Sequence, residues 1–191
     1  GWGLDYGLLD ADRKLVVPPF SYRDPRTAVW GRTAAALGAE RLYRMTGIQM
    51  MAVNTIFQLA VHDAAELERA DRLLLLPDLL VHHLTGFEGA EASNASTTGL
   101  LDAAAGAWST ELATALSLPP TLFPEVVPAG RPVGTWRGVP VHLVGSHDTA
   151  SAFLGMPGGG VPGIVFVSAG TWVIVGVERP SVDTSPAARE A

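Results

Sequence analysis

The sequence contains no cysteine among its 191 residues. This absence excludes disulfide cross-links, thiolate nucleophiles and cysteine-based zinc sites. It also fits a reducing compartment, so we expect a cytoplasmic protein.

Basic charge and long apolar runs are also scarce. Lysine and arginine number 13 against 19 acidic residues, which gives a net charge of −6. With no basic stripe, nucleic acid is not expected as a partner. The longest apolar run, LLLLPDLLV, is interrupted by Pro77 and Asp78. It is too short to cross a bilayer, so a membrane is not expected as a partner either.

What is present is a core-forming composition, with 48% hydrophobic and 17% charged residues. Periodicity and glycine stops predict helices over 28–37, 39–47, 54–63, 77–86 and 110–118. Apolar runs predict a hairpin of strands over 4–10 and 14–20, and later strands over 139–144, 163–170 and 171–178. The small polar residues of 87–109 indicate a surface excursion. The pattern as a whole predicts the α/β class.

A domain boundary is predicted where the composition changes. Residues 119–138 contain five prolines and three glycines, and strands replace helices after them. Such stretches are typical of linkers between domains. We therefore predict one domain over 1–138 and the start of a second over 139–191.

The stretch VGSHDTASAFLG carries the strongest candidate for chemistry, Asp148. It follows the strand predicted over 139–144 and precedes a helical pattern, and ligands of open α/β folds bind at such turns. A carboxylate at this position can accept a proton from a hydroxyl group. Ser146 and Asp148 are equally suited to starting a helix. The local sequence leaves the two roles open.

Two glycine-containing turns are weaker candidates. In VSAGTW, Gly170 permits close backbone approach and Thr171 offers a hydroxyl group, as in turns that cradle phosphates. A plain hairpin turn explains it as well and is favoured. In GWG, glycines beside Trp2 could let a sugar stack on the indole, although core packing of Trp2 is favoured.

Arginines and histidines give no clear site. Arg23 and Arg26 in YRDPRT could bind phosphate, but an intrachain ion-pair network is favoured. The histidines do not follow a metal-binding spacing such as HExxH, so no metal ligands are assigned.

Several motifs occur together in a fixed order. They are GWGLDYGLLDADRKLV, YRDPRT, TGIQMMAVNTIFQL, ADRLLLLPDLLVHHLTG, ASNASTTGLLD, SHDTASA and SAGTWVIVGVE. This series resembles the FGGY family of carbohydrate kinases, and in particular its branch that acts on L-rhamnulose. The resemblance runs over nearly the whole chain. The chain departs from that branch at Ala169 and Val173, where serine is usual, and at Ala52, where proline is usual.

The resemblance implies a fold of two actin-like, ribonuclease-H-like domains with the active site between them. It implies transfer of a phosphoryl group from ATP, with Mg²⁺, to a small-molecule ketose, giving L-rhamnulose 1-phosphate. Asp148 matches the family's general base. The sugar-binding positions match Gly3, His147, Asp148 and Thr149, and the position beside the ATP phosphates matches Thr171. Gln49 and Asn54 match positions that could line the sugar pocket.

The family's glycine-rich phosphate hairpin would precede Gly1, and its adenine-binding half would follow Ala191. The sequence is thus expected to be an internal part of a longer kinase and to lack kinase activity alone, which an ADP-release assay would measure. Two alternatives remain: a sibling kinase acting on xylulose or fuculose, and a non-catalytic sugar-binding protein on the same scaffold.

Overall fold

The computed structural model describes residues 1–170 and 172–190. Its first strand, β1 (Tyr6–Leu9), is buried along its length and pairs antiparallel with β2 (Arg72–Leu75). The predicted hairpin over 4–20 is wrong, because only a single bridge joins Leu9 to Leu15. Pro18 and Pro19 lack the N–H groups that a second hairpin strand would need.

The helices of the first half confirm the helix ends that were predicted at glycines. They are α1 (Trp30–Leu37), α2 (Ala39–Thr46), α3 (Thr55–Ala60), α4 (Ala64–Arg69) and α5 (Leu76–Thr85). Gly47 and Gly86 follow α2 and α5 with φ of +66° and +77°. Glycine adopts this left-handed conformation without steric cost, so both helices end there.

The segment 87–109 is not the surface excursion that its composition predicts. It contains β3 (Ala90–Glu91), α6 (Ala92–Ala95), β4 (Leu101–Asp102) and β5 (Ala107–Trp108). Ala90, Asn94 and Thr98 are buried. Burial is possible because small hydroxyl groups bond nearby backbone, as Thr98 Oγ1 does when it donates to the Ala95 carbonyl at 2.7 Å.

The chain then forms α7 (Thr110–Ala115) and β6 (Val126–Val127), which pairs parallel with β3. Strands β7 (Pro132–Trp136) and β8 (Val139–His142) form a hairpin whose turn contains Gly138. The strand predicted over 139–144 is thereby confirmed over its first four residues. The domain division at 138/139 stays a prediction.

The last elements are α8 (Asp148–Gly155), β9 (Val165–Ala169), β10 (Val173–Val177) and α9 (Pro186–Glu190). The first three confirm the helix start at 148 and the two strands after it. Strands β9 and β10 pair antiparallel, and the α8 side chain Phe153 contacts Phe166 of β9 at 6.1 Å between ring centroids.

One hydrophobic core lies between the β1–β2 pair and the surrounding helices. Its largest side chains include Phe57 of α3 and Leu8 of β1, each 1% exposed. The Phe57 ring lies 5.5 Å from that of Trp30, which joins α3 to α1. Among the described residues, no helix has the length and apolar character to span a membrane.

The core packing gives a direct stability prediction for Leu8→Ala. Leu8 is 1% exposed and lies opposite Leu73 in the strand pair. The substitution leaves a cavity, so we expect the free energy of unfolding to fall by about 2–5 kcal/mol, measured by urea denaturation. The same substitution at Leu154, which is 85% exposed, is the control. It should change stability by no more than about 0.5 kcal/mol; equal losses would contradict the core assignment.

Candidate functional site

A cleft of about 660 Å³ lies where the entry to β1, the segment before α3, the start of α8 and the β9–β10 hairpin meet. Its walls include Gly3, His147, Asp148 and Thr149. The structure therefore brings Gly3 together with three consecutive residues that lie at least 144 positions further along the chain. A larger groove of about 900 Å³ is lined mainly by leucines and by Arg13, His82 and His83. It shares Trp2 with the cleft and contains none of the residues that the resemblance assigns to the site.

The chain entering β1 is held rigidly at one wall. Leu4 has φ of +82°, which is strained for a branched residue. Its carbonyl accepts hydrogen bonds from Thr55 Oγ1 at 2.7 Å and from Gln58 Nε2 at 3.2 Å. These two buried donors stabilise the unusual backbone, as is common beside functional sites.

Trp2 is 50% exposed at the cleft, so the favoured sequence interpretation of core packing is wrong. Its Nε1 donates to Asp5 Oδ2 at 2.7 Å. Asp5 also accepts from the Tyr22 amide at 2.7 Å. Burial raises the pKa of Asp5 above its ordinary value, against the lowering effect of these two hydrogen bonds. The indole is thus held through its Nε1 atom, while half of Trp2 remains exposed beside the cleft.

Gly3 is buried and has no room for a side chain. A Cβ atom at this position would lie 2.6 Å from Thr97 Oγ1 and 3.0 Å from Asn94 Oδ1. The missing side chain leaves the backbone of residue 3 close to the cleft, where Thr97 also lies. A larger residue would force the Thr97 wall to shift.

Asp148 is the first residue of α8, and its side chain is exposed in the cleft. Its Oδ1 accepts from the Thr149 amide at 2.8 Å. Its own amide donates to the Gly1 carbonyl at 2.9 Å, which joins the α8 start to the chain entering β1. Asp148 therefore starts a helix and also presents a carboxylate to the cleft, so the two interpretations left open by the sequence are compatible.

His147, just before α8, is half-buried in the same wall. Burial lowers the pKa of its imidazole below the ordinary value, and the Asp148 carboxylate opposes this effect only in part. The neutral ring is therefore favoured at neutral pH, and it can donate one hydrogen bond and accept another.

Gln49 and Asn54 also line the cleft. Gln49 Nε2 donates to the Arg189 carbonyl at 2.7 Å, and Asn54 Oδ1 accepts from the Met51 amide at 2.6 Å. Both side chains hold chain segments in place. Thr171 lies outside the described residues, while its neighbours Gly170 and Trp172 line the cleft.

Arg23 lies at the cleft, and its guanidinium is 5.5 Å from the Tyr22 ring centroid. Arg26 packs over Phe20 at 4.0 Å. Within residues 1–170 and 172–190, neither arginine forms an ion pair, so the predicted ion-pair network is wrong. No group of three His, Asp or Glu side chains in that part of the chain is placed to hold a metal ion.

Sequence reasoning missed two buried acids behind the cleft, Asp78 and Glu91, each 2% exposed. Glu91 Oε2 accepts from Ser146 through its amide at 2.9 Å and its hydroxyl group at 3.0 Å. Burial acts to raise the pKa of Glu91, but hydrogen bonds from Ser93 and Ser146 outweigh it and lower the pKa. Burial raises the pKa of Asp78 to about 7. The sequence signal for Glu91 was an acid in a run of small residues, and that for Asp78 was an acid inside the apolar run LLLLPDLLV.

Residues 2–155 match the sequence pattern of the family described as "FGGY family of carbohydrate kinases, N-terminal domain". The chain belongs to the FGGY family of carbohydrate kinases. It is 42% identical over 188 residues to a rhamnulokinase of Enterococcus faecalis, covering 93% of this chain and 38% of that protein. It is 40% identical over 199 residues to a rhamnulokinase of Pectobacterium atrosepticum, covering 100% of this chain and 40% of that protein.

Solved structures agree with this FGGY assignment. A xyloylose kinase from Brucella ovis is 30% identical with a TM-score of 0.77, covering 92% of this chain and 37% of that one. A carbohydrate kinase from Novosphingobium aromaticivorans, 23% identical, has a TM-score of 0.69 and covers 92% of this chain and 40% of that one; it supports the α/β kinase fold alone. The chain spans about two fifths of the length of the rhamnulokinases named above.

Asp78 gives a pH prediction. Its pKa in the folded protein, about 7, exceeds the ordinary 3.8, so the folded chain binds this proton more tightly than the unfolded chain. The stabilisation is therefore complete below the unfolded pKa and is lost as the pH rises through about 7. Relative to Asp78→Asn, whose amide stays neutral, we expect the parent's free energy of unfolding to fall by about 3 kcal/mol between about pH 5 and pH 8.

Denaturation of the parent and variant across this pH range measures the effect. Asp12→Asn, which removes an exposed carboxylate, is the control and should run parallel to the parent. A difference between Asp78→Asn and the parent that stays constant with pH would contradict the assignment.

Proposed function

We propose that the full-length protein carrying this chain phosphorylates L-rhamnulose at O1 with ATP, and that Asp148 is the general base. The observation that carries the proposal is the position of Asp148, exposed in the cleft and joined to Gly1 by its amide. The 40–42% identity to rhamnulokinases supports this choice of sugar.

Asp148 is suited to the transfer chemistry. As O1 attacks the γ-phosphorus, its proton passes to a carboxylate oxygen of Asp148, and the bond from phosphorus to the bridging oxygen of ADP breaks. Hydrogen bonds from described residues reach only Oδ1 of this carboxylate. The second oxygen is thereby left for the sugar hydroxyl. Phosphoryl transfer depends mainly on such positioning and on charge stabilisation.

The sugar would lie between the two chain segments that meet at Asp148. Trp2, the backbone at Gly3 and the polar residues His147 and Thr149 all border the cleft. Apolar stacking together with a few fixed polar groups is the usual composition of a site for a small polar ligand.

We also propose Mg²⁺ as the metal that accompanies ATP, because magnesium in kinases binds mainly through substrate phosphates and one or two carboxylates. The described residues form no three-ligand group for it, so no step is assigned to the ion. Thr171 as a phosphate contact, the domain division at 138/139 and a cytoplasmic location are further proposals. The cysteine-free composition supports the last of these.

A sibling ketose kinase is the second candidate. The observation in its favour is the 30% identity and TM-score of 0.77 to the Brucella ovis xyloylose kinase. Comparing kcat/KM for L-rhamnulose, xylulose and fuculose on the full-length protein decides between the two. A larger value for xylulose or fuculose would overturn the proposed substrate.

Asp148→Asn tests the general base. The amide oxygen can still accept from the Thr149 amide, so the start of α8 should be kept. We expect kcat for ADP release to fall by about 10²–10⁴-fold, with the KM for the sugar changed much less.

The control for Asp148→Asn is Asp12→Asn, which removes an exposed carboxylate in the turn after β1. It should leave kcat at the parent value. Normal turnover by Asp148→Asn would exclude the general-base role. A protein that binds the sugar but never turns it over, even as parent, would support a non-catalytic sugar-binding protein.

Gly3→Ala tests the sugar wall. The new methyl group would lie 2.6 Å from Thr97 Oγ1, so either the wall or the strand entry must move. We expect the KM for the sugar to rise about tenfold, since a displacement of this size costs roughly 1–3 kcal/mol in a packed site. Gly31→Ala is the matched control, because a Cβ there has no neighbour within 4 Å. An unchanged KM in Gly3→Ala would remove Gly3 from the proposed sugar site.

A further inference from the structure

Glu91 is a buried carboxylate at the end of β3, behind the cleft and outside its lining. Five donor groups converge on its two oxygens. They are the amides of Ser93, Asn94 and Ser146 and the hydroxyl groups of Ser93 and Ser146. So many donors around one carboxylate exceed what a structural helix cap requires, since capping needs one or two.

The donors come from two segments that are distant in sequence. Ser93 and Asn94 belong to the first turn of α6, which Glu91 caps from the preceding position. Ser146 belongs to the turn before α8, where it supplies two donors to the same oxygen, Oε2. Glu91 therefore ties the turn that precedes Asp148 to the body of the chain.

Three consecutive backbone amides of this turn are fixed. The Ser146 amide donates to Glu91 directly at 2.9 Å. The His147 amide donates at 3.3 Å to Ser93 Oγ. The Ser93 hydroxyl group in turn donates a hydrogen bond to Glu91 Oε2. The Asp148 amide donates at 2.9 Å to Gly1. Two of the three bonds that orient the backbone at Asp148 thus depend on the Glu91 carboxylate.

We propose that Glu91 is a positioning residue that, through Ser146 and Ser93, holds the Ser146–Asp148 turn so that the Asp148 carboxylate faces the reacting hydroxyl group. This inference rests on the function proposed above for Asp148. Only an ionised carboxylate can serve, because it offers two accepting oxygens and no donor. A glutamine amide would accept at one oxygen and set its NH₂ group against the serine donors.

Asp78 provides a matched comparison. It is as deeply buried as Glu91, and it contacts Glu91 only by accepting the backbone amide at 3.3 Å and 3.4 Å. Among the described residues, its carboxylate forms no hydrogen bond with residues 146–148. A loss that follows from disturbing any buried acid in this layer would therefore appear in Asp78→Asn as well.

The test uses Glu91→Gln, Ser146→Ala and their double variant in the full-length protein, near pH 7.5. We expect Glu91→Gln to lower kcat by about 10–100-fold with a smaller change in the KM for the sugar, because an ångström of misplacement costs about that much in rate. Ser146→Ala should give a smaller loss. The loss in the double variant should be smaller than the sum of the two single losses, because both substitutions disturb the hydrogen bond from Ser146 Oγ to Glu91 Oε2.

A second measurement does not depend on activity. Hydrogen exchange of a peptide covering residues 144–155 should be at least tenfold faster in Glu91→Gln and unchanged in Asp78→Asn, which should also keep the parent kcat. If Glu91→Gln does not fold, Ser146→Ala carries the same two measurements.

The outcomes separate the two proposals. Folded Glu91→Gln with parent kcat and parent exchange would overturn the positioning role, as would additive losses or an equal loss in Asp78→Asn. If Asp148→Asn keeps full activity, the proposed function fails. Faster exchange of the turn in Glu91→Gln would still show in that case that Glu91 holds it.

Discussion

The burial of the Glu91 carboxylate is the constraint on which the site depends. A charge out of contact with water is costly unless several hydrogen bonds replace the lost solvation. Here the donors come from α6 and from the turn before α8, so the cost is offset only when these segments meet. When the turn before α8 meets Glu91, Asp148 is brought to the cleft wall. The position of the exposed Asp148 carboxylate therefore depends on the buried Glu91 carboxylate.

The wall of the cleft at the entry to β1 depends on a second constraint, which is close packing and strained backbone. Gly3 provides close packing against Thr97, and Leu4 adopts a strained positive φ that Thr55 and Gln58 stabilise. The Gly1 carbonyl then accepts the Asp148 amide. Strain in one segment and buried charge in another are therefore connected through a single backbone hydrogen bond.

The sequence predicted local features well, because they depend on neighbouring residues. The ends of α2 and α5 follow from Gly47 and Gly86, and the start of α8 follows from the acid at 148. It failed where distant partners decide. Strand β1 pairs with β2 across more than sixty residues, and the prediction chose the nearest apolar run as its partner.

The candidate functional residues also divide into those that neighbouring residues indicate and those that only distant partners reveal. Asp148 could be named because strand–turn–helix patterns place chemistry at a strand end, and the resemblance added Gly3 and His147. Glu91 could not, since an acid among small residues indicates exposure until its donors are known. Its five donors include Ser146, 55 positions away.

The proposed role of Asp148 as a base is compatible with its position at the start of α8 for a physical reason. Asp148 is the first residue of α8, and there its Oδ1 accepts from the Thr149 amide. The second oxygen accepts no hydrogen bond from the described residues, so under the proposed function it can take the proton of the sugar hydroxyl group. A helix start is thus a suitable position for a base, provided that a contact outside the helix fixes the backbone before it, as Glu91 and Gly1 do here.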